Sequence, residues 1–370
     1  MRSNKRILVA PLNWGLGHAT RCIPIIRALK AHHYTPIIAS DGVALVLLQK
    51  EFPDVETIEL PSYKITYAKK KKHFKLKILW DSPKMIKAVK KEKKLIKKLI
   101  KEFQLDGIIS DNRLGVYSKK IPSVFITHQL NVLSGKTTWM SSKAHQKIIR
   151  KFNACWVPDH EGKPNLSGKL GHLKNSKLPI VYLGPLSRLQ KKALPFVYDL
   201  MVLLSGPEPQ RSLLEEKIKE ELQHYHGRVL FVRGVLEKEQ KTQTSIEEKR
   251  ITTYYNYMNS HELEIAINES ALVLCRSGYT TIMDLAHLEK DAFFIPTPGQ
   301  YEQEYLAKRM QKLGYVGSAT QEDFSIATLE SAKDFKGLKK FNATIDYASL
   351  FSIFSKVNEN SEPTSSTLST

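Results

Sequence analysis

Three glycine-containing turns follow apolar segments of this chain, and their residues are of types that bind anions and polyhydroxylated ligands. They read NWGLGHAT at residues 13–20, SGPEPQR at residues 205–211 and CRSGYTT at residues 275–281. Glycine after a strand lets a ligand approach the backbone closely, and the free amides of the following helix attract negative charge. The pattern therefore predicts ligand binding at these turns, most weakly at the second.

His18 is the candidate general base, because it stands at the expected start of the first helix, where a substrate hydroxyl could lie. A neutral imidazole with an ordinary pKa near the working pH can accept a proton there. Alternatively, the ring merely caps or packs the turn. Asp111, in the segment IISDNR at the end of an expected strand, is the second candidate.

The third turn is followed by residues suited to hydroxyl groups. Thr281 and Asp284 are three apart and share one helix face. A carboxylate one turn into a helix suits the two vicinal hydroxyls of a sugar better than an anion. The next turn adds amides and carboxylates at Gln300, Glu302, Gln303 and Glu304. The other interpretation is helix capping and ordinary surface polarity.

Two other cofactor classes find little support. A nicotinamide site would require a third glycine where Thr20 stands, and Asp41, near the position of its acidic residue, lies in ASDGV, which is also an ordinary turn. No Asp-x-Asp pair or metal-ligand cluster occurs, so we predict no metal site. The three cysteines have no zinc-type spacing, so we expect free thiols in a reducing cytosol.

The order of elements predicts an α/β protein. Apolar runs such as RILVAPLN, YTPIIAS, LDGIISD, DLMVLLS and ALVLC alternate with helical patterns, which is typical of parallel sheets covered on both faces. We expect a first domain at residues 1–185 and a second at 186–345, with a hinge near residues 185–195. Residues 346–355 are expected to return to the first domain, and residues 356–370 to be a disordered tail.

Composition is that of a globular protein with an unusual charge. The 370 residues are 42% hydrophobic and carry a net charge of +20. Such a charge attracts nucleic acid, phosphorylated ligands or acidic lipid, unless it only reflects solvated lysine faces. The N-terminal apolar run is too short for a signal peptide, and no apolar stretch approaches the length of a membrane span.

The lysines concentrate in residues 64–101, where apolar residues approximate one helical stripe from Met85 onward. Such a segment can lie on an anionic membrane surface. It can also be an ordinary covering helix with a solvated face. Nucleic-acid binding is the third interpretation, and we consider it unlikely because no recognised motif accompanies the lysines.

Two stretches resemble a known family. From Cys275 to Glu304 the chain resembles, without gaps, the donor-binding segment of glycosyltransferase family 28, the MurG-like enzymes. The segment GLGHATR is similar to the family's glycine-rich first loop, with its histidine at His18. The resemblance implies the GT-B fold, in which two Rossmann-like domains with parallel sheets face a central cleft. Residues 125–131, FITHQLN, only partly resemble the family's acceptor-side segment, so the acceptor stays open.

By position, the resemblance assigns the ribose hydroxyls of a nucleotide-sugar to Asp284 and the sugar hydroxyls to Gln303 and Glu304. It assigns the diphosphate to Ser205, Gly206 and Arg188. With the helix ends and Arg276 that could face the phosphates, the predicted donor site comprises Gly15, Gly17, Arg188, Ser205, Gly206, Arg276, Ser277, Gly278, Thr281, Asp284, Gln300, Gln303 and Glu304.

The resulting hypothesis is a cytoplasmic hexosyltransferase of the cell envelope, peripheral on the inner face of the plasma membrane. It would use a UDP-sugar such as UDP-N-acetylglucosamine, with no cofactor, and an unidentified glycan or lipid-linked acceptor. Inversion is implied by the resemblance, and metal independence by the missing Asp-x-Asp pair. The alternatives are a nucleotide-sugar 2-epimerase-like enzyme on the same fold, and a non-catalytic protein that binds polyanions or membranes.

Overall fold

Two seven-stranded sheets, each covered by helices, organise the computed structural model. It describes residues 4–63, 74–133, 135–235, 237, 239–341 and 343–355. The first sheet has the strand order β3-β2-β1-β4-β5-β6-β7, and the second has the order β10-β11-β9-β8-β12-β13-β14. The predicted α/β architecture with parallel sheets is therefore confirmed. The predicted disordered tail at 356–370 lies outside the described residues.

The first sheet is parallel throughout, and the residues of its central strands are almost fully buried. Continuous apolar runs form such strands because both faces are covered. The strands are β1 Arg6–Pro11, β2 Thr35–Ser40, β3 Thr57–Glu59, β4 Gly107–Asp111, β5 Ser123–Ile126, β6 Ala154–Val157 and β7 Ile180–Tyr182.

The second sheet is parallel except for its edge strand β10, which pairs antiparallel with β11. Its strands are β8 Tyr198–Leu203, β9 Gly227–Val232, β10 Thr242–Glu247, β11 Arg250–Tyr255, β12 Ser270–Cys275, β13 Asp291–Phe294 and β14 Gly317–Ser318. The β10–β11 hairpin was not predicted from the sequence, because β10 is polar and mostly exposed and so carries no apolar run.

Helices connect the strands and cover the sheets. They are α1 Gly17–Ala31, α2 Gly42–Glu51, α3 Phe74–Glu102, α4 Thr138–Ile149, α5 Gln210–Glu221, α6 Ser260–Asn268, α7 Tyr279–His287, α8 Tyr301–Lys312, α9 Ile326–Glu330 and α10 Tyr347–Phe351. In α1, Ile23, Ile26 and the residues around them are buried, as the helical spacing predicted. The first turns of α1, α7 and α8 lie where the two domains meet.

The chain crosses between the sheets twice. Residues 183–197, which contain no helix or strand, connect β7 to β8. After the second sheet, the segment containing α10 lies against the first domain, where Phe351 packs on Tyr34 and Trp156. The main-chain oxygen of Phe354 accepts a hydrogen bond of 2.7 Å from the Lys5 ammonium. The end of the described chain is therefore fastened to its beginning.

Helix α3 carries much of the positive charge. In its described part, Ala88, Glu92, Ile96 and Leu99 are buried, and the lysines between them are mostly exposed. This arrangement fits a covering helix with a solvated lysine face. Residues 64–73 of the lysine-rich segment, and the side chains of residues 74–85, lie outside what the structure describes. Within the described ranges, no helix combines the length and hydropathy that a membrane crossing needs.

Candidate functional site

A histidine–aspartate pair lies at the carboxyl edge of the first sheet. Strands β1 and β4 are parallel neighbours with Pro11 opposite Asp111, so the turn after β1 and the end of β4 lie side by side. Helix α1 begins in that turn and carries His18 in its first residues. The His18 Nδ1 atom lies 2.9 Å from Asp111 Oδ1. The two residues that the sequence offered as alternative bases are thus partners in one arrangement.

Arg21, one helical turn beyond His18, holds this pair together. Its buried guanidinium donates hydrogen bonds to both carboxylate oxygens of Asp111. Its Nη2 atom lies 2.7 Å from His18 Nδ1. Burial alone would raise the pKa of Asp111, but Arg21 and His18 outweigh it and hold that pKa well below its usual range. Asp111 is therefore a fixed anion that cannot serve as the proton acceptor at neutral pH.

Burial lowers the pKa of His18 below 6.5, although the negative charge of Asp111 partly offsets this effect. The ring is therefore neutral at neutral pH. Nδ1 lies near both an acceptor, Asp111 Oδ1 at 2.9 Å, and a donor, Arg21 Nη2 at 2.7 Å, so either tautomer finds a partner there. In the tautomer that carries the proton on Nδ1 and donates it to Asp111, Nε2 presents a lone pair. Among the residues described, none forms a hydrogen bond with this Nε2. The geometry thus suits a general base better than a capping or packing role.

Two residues of the second domain, Glu302 and Tyr279, contact this cluster through His128. His128, which follows β5, lies 3.0 Å from the Glu302 carboxylate through its Nε2 atom. The side-chain amide of Gln129 donates to the other Glu302 oxygen. Tyr279, the first residue of α7, stacks on the His128 ring with the ring centroids 4.3 Å apart and the ring planes almost parallel. The carboxyl edge of the first sheet is therefore in contact with the first turns of α7 and α8.

No site role was predicted from the sequence for Arg21, His128 or Tyr279, and Glu302 was named only among the polar side chains suited to sugar hydroxyls. Two signals pointed toward them. Arg21 lies three residues after His18 and so shares its helix face. His128 directly follows the buried strand β5 and Thr127, in the segment with the partial acceptor-side resemblance. The contact between His128 and Glu302 joins residues 174 positions apart, which no local pattern reveals.

Asp284 lies on α7, close to the connection between the domains. Its Oδ1 atom accepts a hydrogen bond of 2.6 Å from the Ser187 hydroxyl. Burial raises the pKa of Asp284 to about 6, against the opposing influence of the Arg188 charge and of Ser187. Burial also lowers the pKa of Arg188, and the negative charge of Asp284 partly counteracts this shift. The structure thus brings Asp284 and Arg188 together, as the predicted donor site requires.

The predicted sugar-binding residues of α8 are tied to the third turn. Gln303 Oε1 accepts a hydrogen bond of 2.8 Å from the Thr297 amide, and Glu304 Oε1 accepts one of 2.8 Å from the Gly299 amide. The hydroxyl of Ser277 donates to the main-chain oxygen of Gln303 at 2.9 Å. These contacts fold residues 297–304 against the turn after β12. Gln300 occupies the N-cap position of α8 without a side-chain capping bond.

The turn after β8 is open. Ser205 and Gly206 are exposed, and Gly206 has a φ of +108°, which favours glycine. A methyl group on Gly206 would still lie 4.0 Å from the Thr297 hydroxyl, so this turn and the segment after β13 are neighbours. The Thr297 Oγ1 atom is buried and has no hydrogen-bond partner among the described residues. The Gly206 side of this turn is therefore open, and a ligand phosphate could approach the protein backbone there.

Arg276 requires a correction. The sequence suggested that it faces the donor phosphates, but Arg276 is 1% exposed and donates instead to main-chain oxygens and to the Gln321 side-chain oxygen. It donates to Ile295 and Pro296 at 3.2 and 3.0 Å and to Gln210 at 2.8 Å. We therefore assign Arg276 a structural role: it ties the segments after β12, β13 and β8 together.

The first and third glycine turns are in direct contact. The Thr280 hydroxyl donates to the main-chain oxygen of Gly17 at 3.3 Å, and a methyl group on Gly17 would lie 2.7 Å from that hydroxyl. Gly15 has a φ of +74° and open space around it. Gly278 is the N-cap residue of α7, with Thr281 partly buried in the first turn. The starts of α1 and α7 therefore meet across the cleft.

Asp41, near the position that the acidic residue of a dinucleotide site would take, has a carboxylate that is already bonded within the protein. It accepts hydrogen bonds from the buried Arg113 guanidinium and from the Asn13 amide. Within the described ranges, no group of three or more His, Cys, Asp or Glu side chains is arranged to hold a metal ion.

Comparisons with known proteins agree with this geometry. Residues 210–340 match the glycosyltransferase family 28 C-terminal domain. Over 325 residues, 84% of this chain and 84% of the relative, the chain is 25% identical to the UDP-N-acetylglucosamine--N-acetylmuramyl-(pentapeptide) pyrophosphoryl-undecaprenol N-acetylglucosamine transferase of Clostridium tetani.

Solved structures share the fold. MurG of Acinetobacter baumannii superposes with a TM-score of 0.60 at 12% identity, over 95% of this chain and all of that one. A putative UDP-N-acetylglucosamine 2-epimerase of Listeria monocytogenes superposes with a TM-score of 0.59 at 10% identity, over 92% of each chain. The resemblance seen in the sequence is confirmed, and this chain is a GT-B glycosyltransferase whose C-terminal domain belongs to glycosyltransferase family 28.

Proposed function

We propose that this chain transfers N-acetylglucosamine from UDP-N-acetylglucosamine to a hydroxyl group of a lipid-linked acceptor, with inversion at the anomeric carbon. The donor and the kind of acceptor are those named for the Clostridium tetani relative. The observation that carries the chemical step is the contact between His18 Nδ1 and Asp111 Oδ1 at 2.9 Å. It supports a neutral imidazole whose Nε2 atom accepts the proton of the acceptor hydroxyl.

In the proposed reaction, the acceptor oxygen attacks the anomeric carbon while His18 Nε2 takes its proton. The bond between that carbon and the diphosphate oxygen breaks, and the electron pair leaves with UDP. Asp111 stabilises the imidazolium that forms, because its carboxylate receives the Nδ1 proton in a hydrogen bond. Arg21 keeps Asp111 ionised and fixed, since it bonds both carboxylate oxygens.

Negative charge grows on the diphosphate as the bond breaks, and it needs a positive field. We propose that the amide ends of α7 and α1 and the Arg188 guanidinium supply this field without a metal ion. The exposed turn at Ser205 and Gly206 would let the diphosphate approach the backbone. Turnover should then persist in excess chelator, and loss of turnover that Mg²⁺ restores would contradict the metal-free mechanism.

The donor would lie along the second domain. Asp284 would bind the ribose hydroxyls, exchanging the hydroxyl of Ser187 for those of the ligand. Gln303, whose Oε1 atom is held by the Thr297 amide, would offer its side-chain nitrogen to the sugar, with Glu304 beside it. A lipid-linked acceptor would reach the cleft from an anionic membrane surface, which the lysines of α3 would attract.

Replacing His18 tests the proposal. UDP release from UDP-N-acetylglucosamine is measured with the lipid-linked acceptor named for the relative and, separately, with water alone. We expect His18→Ala to lower turnover by about a hundredfold or more while UDP affinity changes little, because the base acts on the acceptor proton. The matched control is His224→Ala, an exposed histidine of the second domain. A loss no larger than that of the control would contradict the role of His18.

The same assay distinguishes sugar transfer from the epimerase alternative. The Listeria structure supports that alternative only through the fold that it shares with this chain. An epimerase converts donor alone into a second nucleotide-sugar or a free epimer and needs no acceptor. A transferase releases UDP faster when acceptor is added. If no sugar is transferred and UDP does not protect the chain against heat, the result would instead favour a non-catalytic binding protein.

A further inference from the structure

Glu302 is an acidic side chain of the second domain that points into the catalytic cluster of the first. It belongs to the first turn of α8, and its two oxygens accept hydrogen bonds from His128 and Gln129. Burial opposes its ionisation, yet the hydrogen bond from His128 and the nearby charge of Arg21 lower its pKa below the usual value. Glu302 is therefore an anion at neutral pH, and its negative charge lies at a contact between the two domains.

The hydrogen bonds define which nitrogen of His128 carries the proton. Arg21 Nη1 can only donate, and it lies 3.0 Å from His128 Nδ1, so Nδ1 is an acceptor. The proton therefore resides on Nε2, which donates to Glu302 at 3.0 Å. Tyr279 stacked on the ring fixes its plane. Neither Arg21 nor Glu302 can be removed without leaving one ring nitrogen of His128 unpaired.

These contacts form one continuous line across the domain boundary. It runs from Glu302 through His128 to Arg21, and from Arg21 to the pair of Asp111 and His18. The line starts beside the residues expected to bind the donor sugar, because Gln303 and Glu304 follow Glu302 directly on α8. A shift of the first turn of α8 would therefore change the position of His18, the proposed base.

We propose that Glu302 is a positioning residue that couples the donor-binding helix to the proton acceptor. By holding the Nε2 proton of His128 it keeps Arg21, Asp111 and His18 in their reactive arrangement when the two domains are together. The inference rests on the proposed function and adds a residue, and a cross-domain connection, that the transfer chemistry uses.

The competing explanation is that Glu302 only helps the domains adhere, and α8 provides a matched control for this. Arg309 lies seven residues further, about 10 Å along the helix axis. Its Nη2 atom also bonds the first domain, at the main-chain and side-chain oxygens of Asn165, at 3.0 and 2.8 Å. Arg309→Ala therefore removes a domain contact from the same helix without touching the line to His18.

The test measures UDP release from UDP-N-acetylglucosamine and the dissociation constant of UDP for Glu302→Ala, Glu302→Gln and Arg309→Ala. A misplaced catalytic group costs about tenfold to a hundredfold in rate. We expect the turnover number of Glu302→Ala to fall by about this factor, while its dissociation constant for UDP changes by less than about threefold. Glu302→Gln keeps an oxygen for the His128 proton, so most of the rate should return. Equal losses in Glu302→Ala and Arg309→Ala would overturn the proposal.

A second measurement does not depend on turnover. An imidazole proton held in a hydrogen bond exchanges slowly enough to appear in a proton–nitrogen NMR spectrum, so we expect a His128 Nε2 proton signal. The signal should persist in Arg309→Ala and vanish in Glu302→Ala. Its persistence in Glu302→Ala would overturn the positioning role. A wild-type chain that shows this signal but transfers no sugar would refute the proposed function alone.

Discussion

At the scale of single residues, the site pairs one strongly held anion with one neutral base. Arg21 and His18 together keep Asp111 ionised, while burial keeps His18 neutral. Two titratable groups whose environments push their pKa values apart have separate roles in catalysis. This division makes the pH dependence of the reaction a direct test of which group accepts the proton.

We expect the turnover rate to rise with pH below 6.5 and to be level above it. The pKa of His18 is lowered from 6.5, so the ring loses its proton below that pH and is already a base at neutrality. The measurement is a pH–rate profile of kcat for sugar transfer at saturating donor, where the pH dependence of donor binding does not contribute. A rising limb centred above pH 6.5 would show that the pKa of the base is raised and not lowered, and would contradict the assignment to His18.

A different residue should control the pH dependence of donor binding. The pKa of Asp284 is raised to about 6, so this carboxyl takes up a proton as the pH falls through 6 and loses its preference for ribose hydroxyls. UDP affinity at pH 5 should be about tenfold weaker than at pH 7.5, because one pKa unit is a factor of ten.

The control for this effect is Asp284→Asn, which cannot ionise. It should bind UDP weakly at both pH values, as measured by isothermal titration calorimetry. Wild-type affinity that is constant between pH 5 and 7.5 would mean that the Asp284 carboxylate does not bind the ribose.

At the scale of elements, the site depends on the starts of three helices that meet at one place. Helices α1 and α7 face each other through Gly17 and Thr280, and α8 contributes Glu302. Each helix begins directly after the carboxyl end of a parallel strand, or one short loop beyond it, which is where α/β sheets bind ligands. Close approach of α1 and α7 requires a residue without a side chain at Gly17.

Gly17→Ala should therefore disturb the cleft. The added methyl group would lie 2.7 Å from the Thr280 hydroxyl, so either the Thr280 side chain or one of the two helices must shift. Overpacking of this kind costs about 1–3 kcal/mol, more than the gain in helix propensity, and we expect a lower turnover rate and a lower unfolding temperature.

Thr280→Ala removes the atom that clashes, so the double variant Gly17→Ala/Thr280→Ala should recover part of both losses. Steady-state kinetics and thermal unfolding measure the two effects. Equal behaviour of the single and double variants would show that the contact between Gly17 and Thr280 does not limit the approach of the helices.

The sequence predicted the elements that have buried apolar runs and missed those that do not. Strands β1, β4, β8 and β12 were recognised because their residues are buried on both faces. Strand β10 is polar and mostly exposed, and β7 has only three residues, none of them buried, so both lacked this signal. The roles of Arg21 and Glu302 depend on contacts over 90 and 174 positions, which arise only when the domains come together.

At the scale of the whole molecule, the two domains are joined at several places. The Tyr305 hydroxyl of α8 accepts a hydrogen bond of 2.9 Å from the Lys169 amide, and the Tyr279 hydroxyl donates to the main-chain oxygen of Pro158 at 2.7 Å. The segment with α10 adds a connection from the end of the second domain back to the first sheet. The first domain is therefore completed by residues that come last in the chain.

Phe351→Ala tests this connection. Its ring is 1% exposed and lies 5.5 Å from the Tyr34 ring, so truncation should lower the free energy of unfolding of the first domain by about 3–5 kcal/mol. The control is Leu213→Ala, which removes a half-exposed side chain of α5. Urea denaturation measures both, and a change no larger than that of the control would mean that α10 is not part of the first domain.

The central claim is that a nucleotide-sugar lies between Asp284 of the second domain and His18 of the first. A crystal structure of the protein with UDP tests it most directly. We expect the ribose hydroxyls at hydrogen-bond distance from the Asp284 carboxylate, in place of the Ser187 hydroxyl, with the diphosphate beside Gly206 and directed toward His18. Density for UDP elsewhere, or a cleft that stays empty at saturating UDP, would contradict the account.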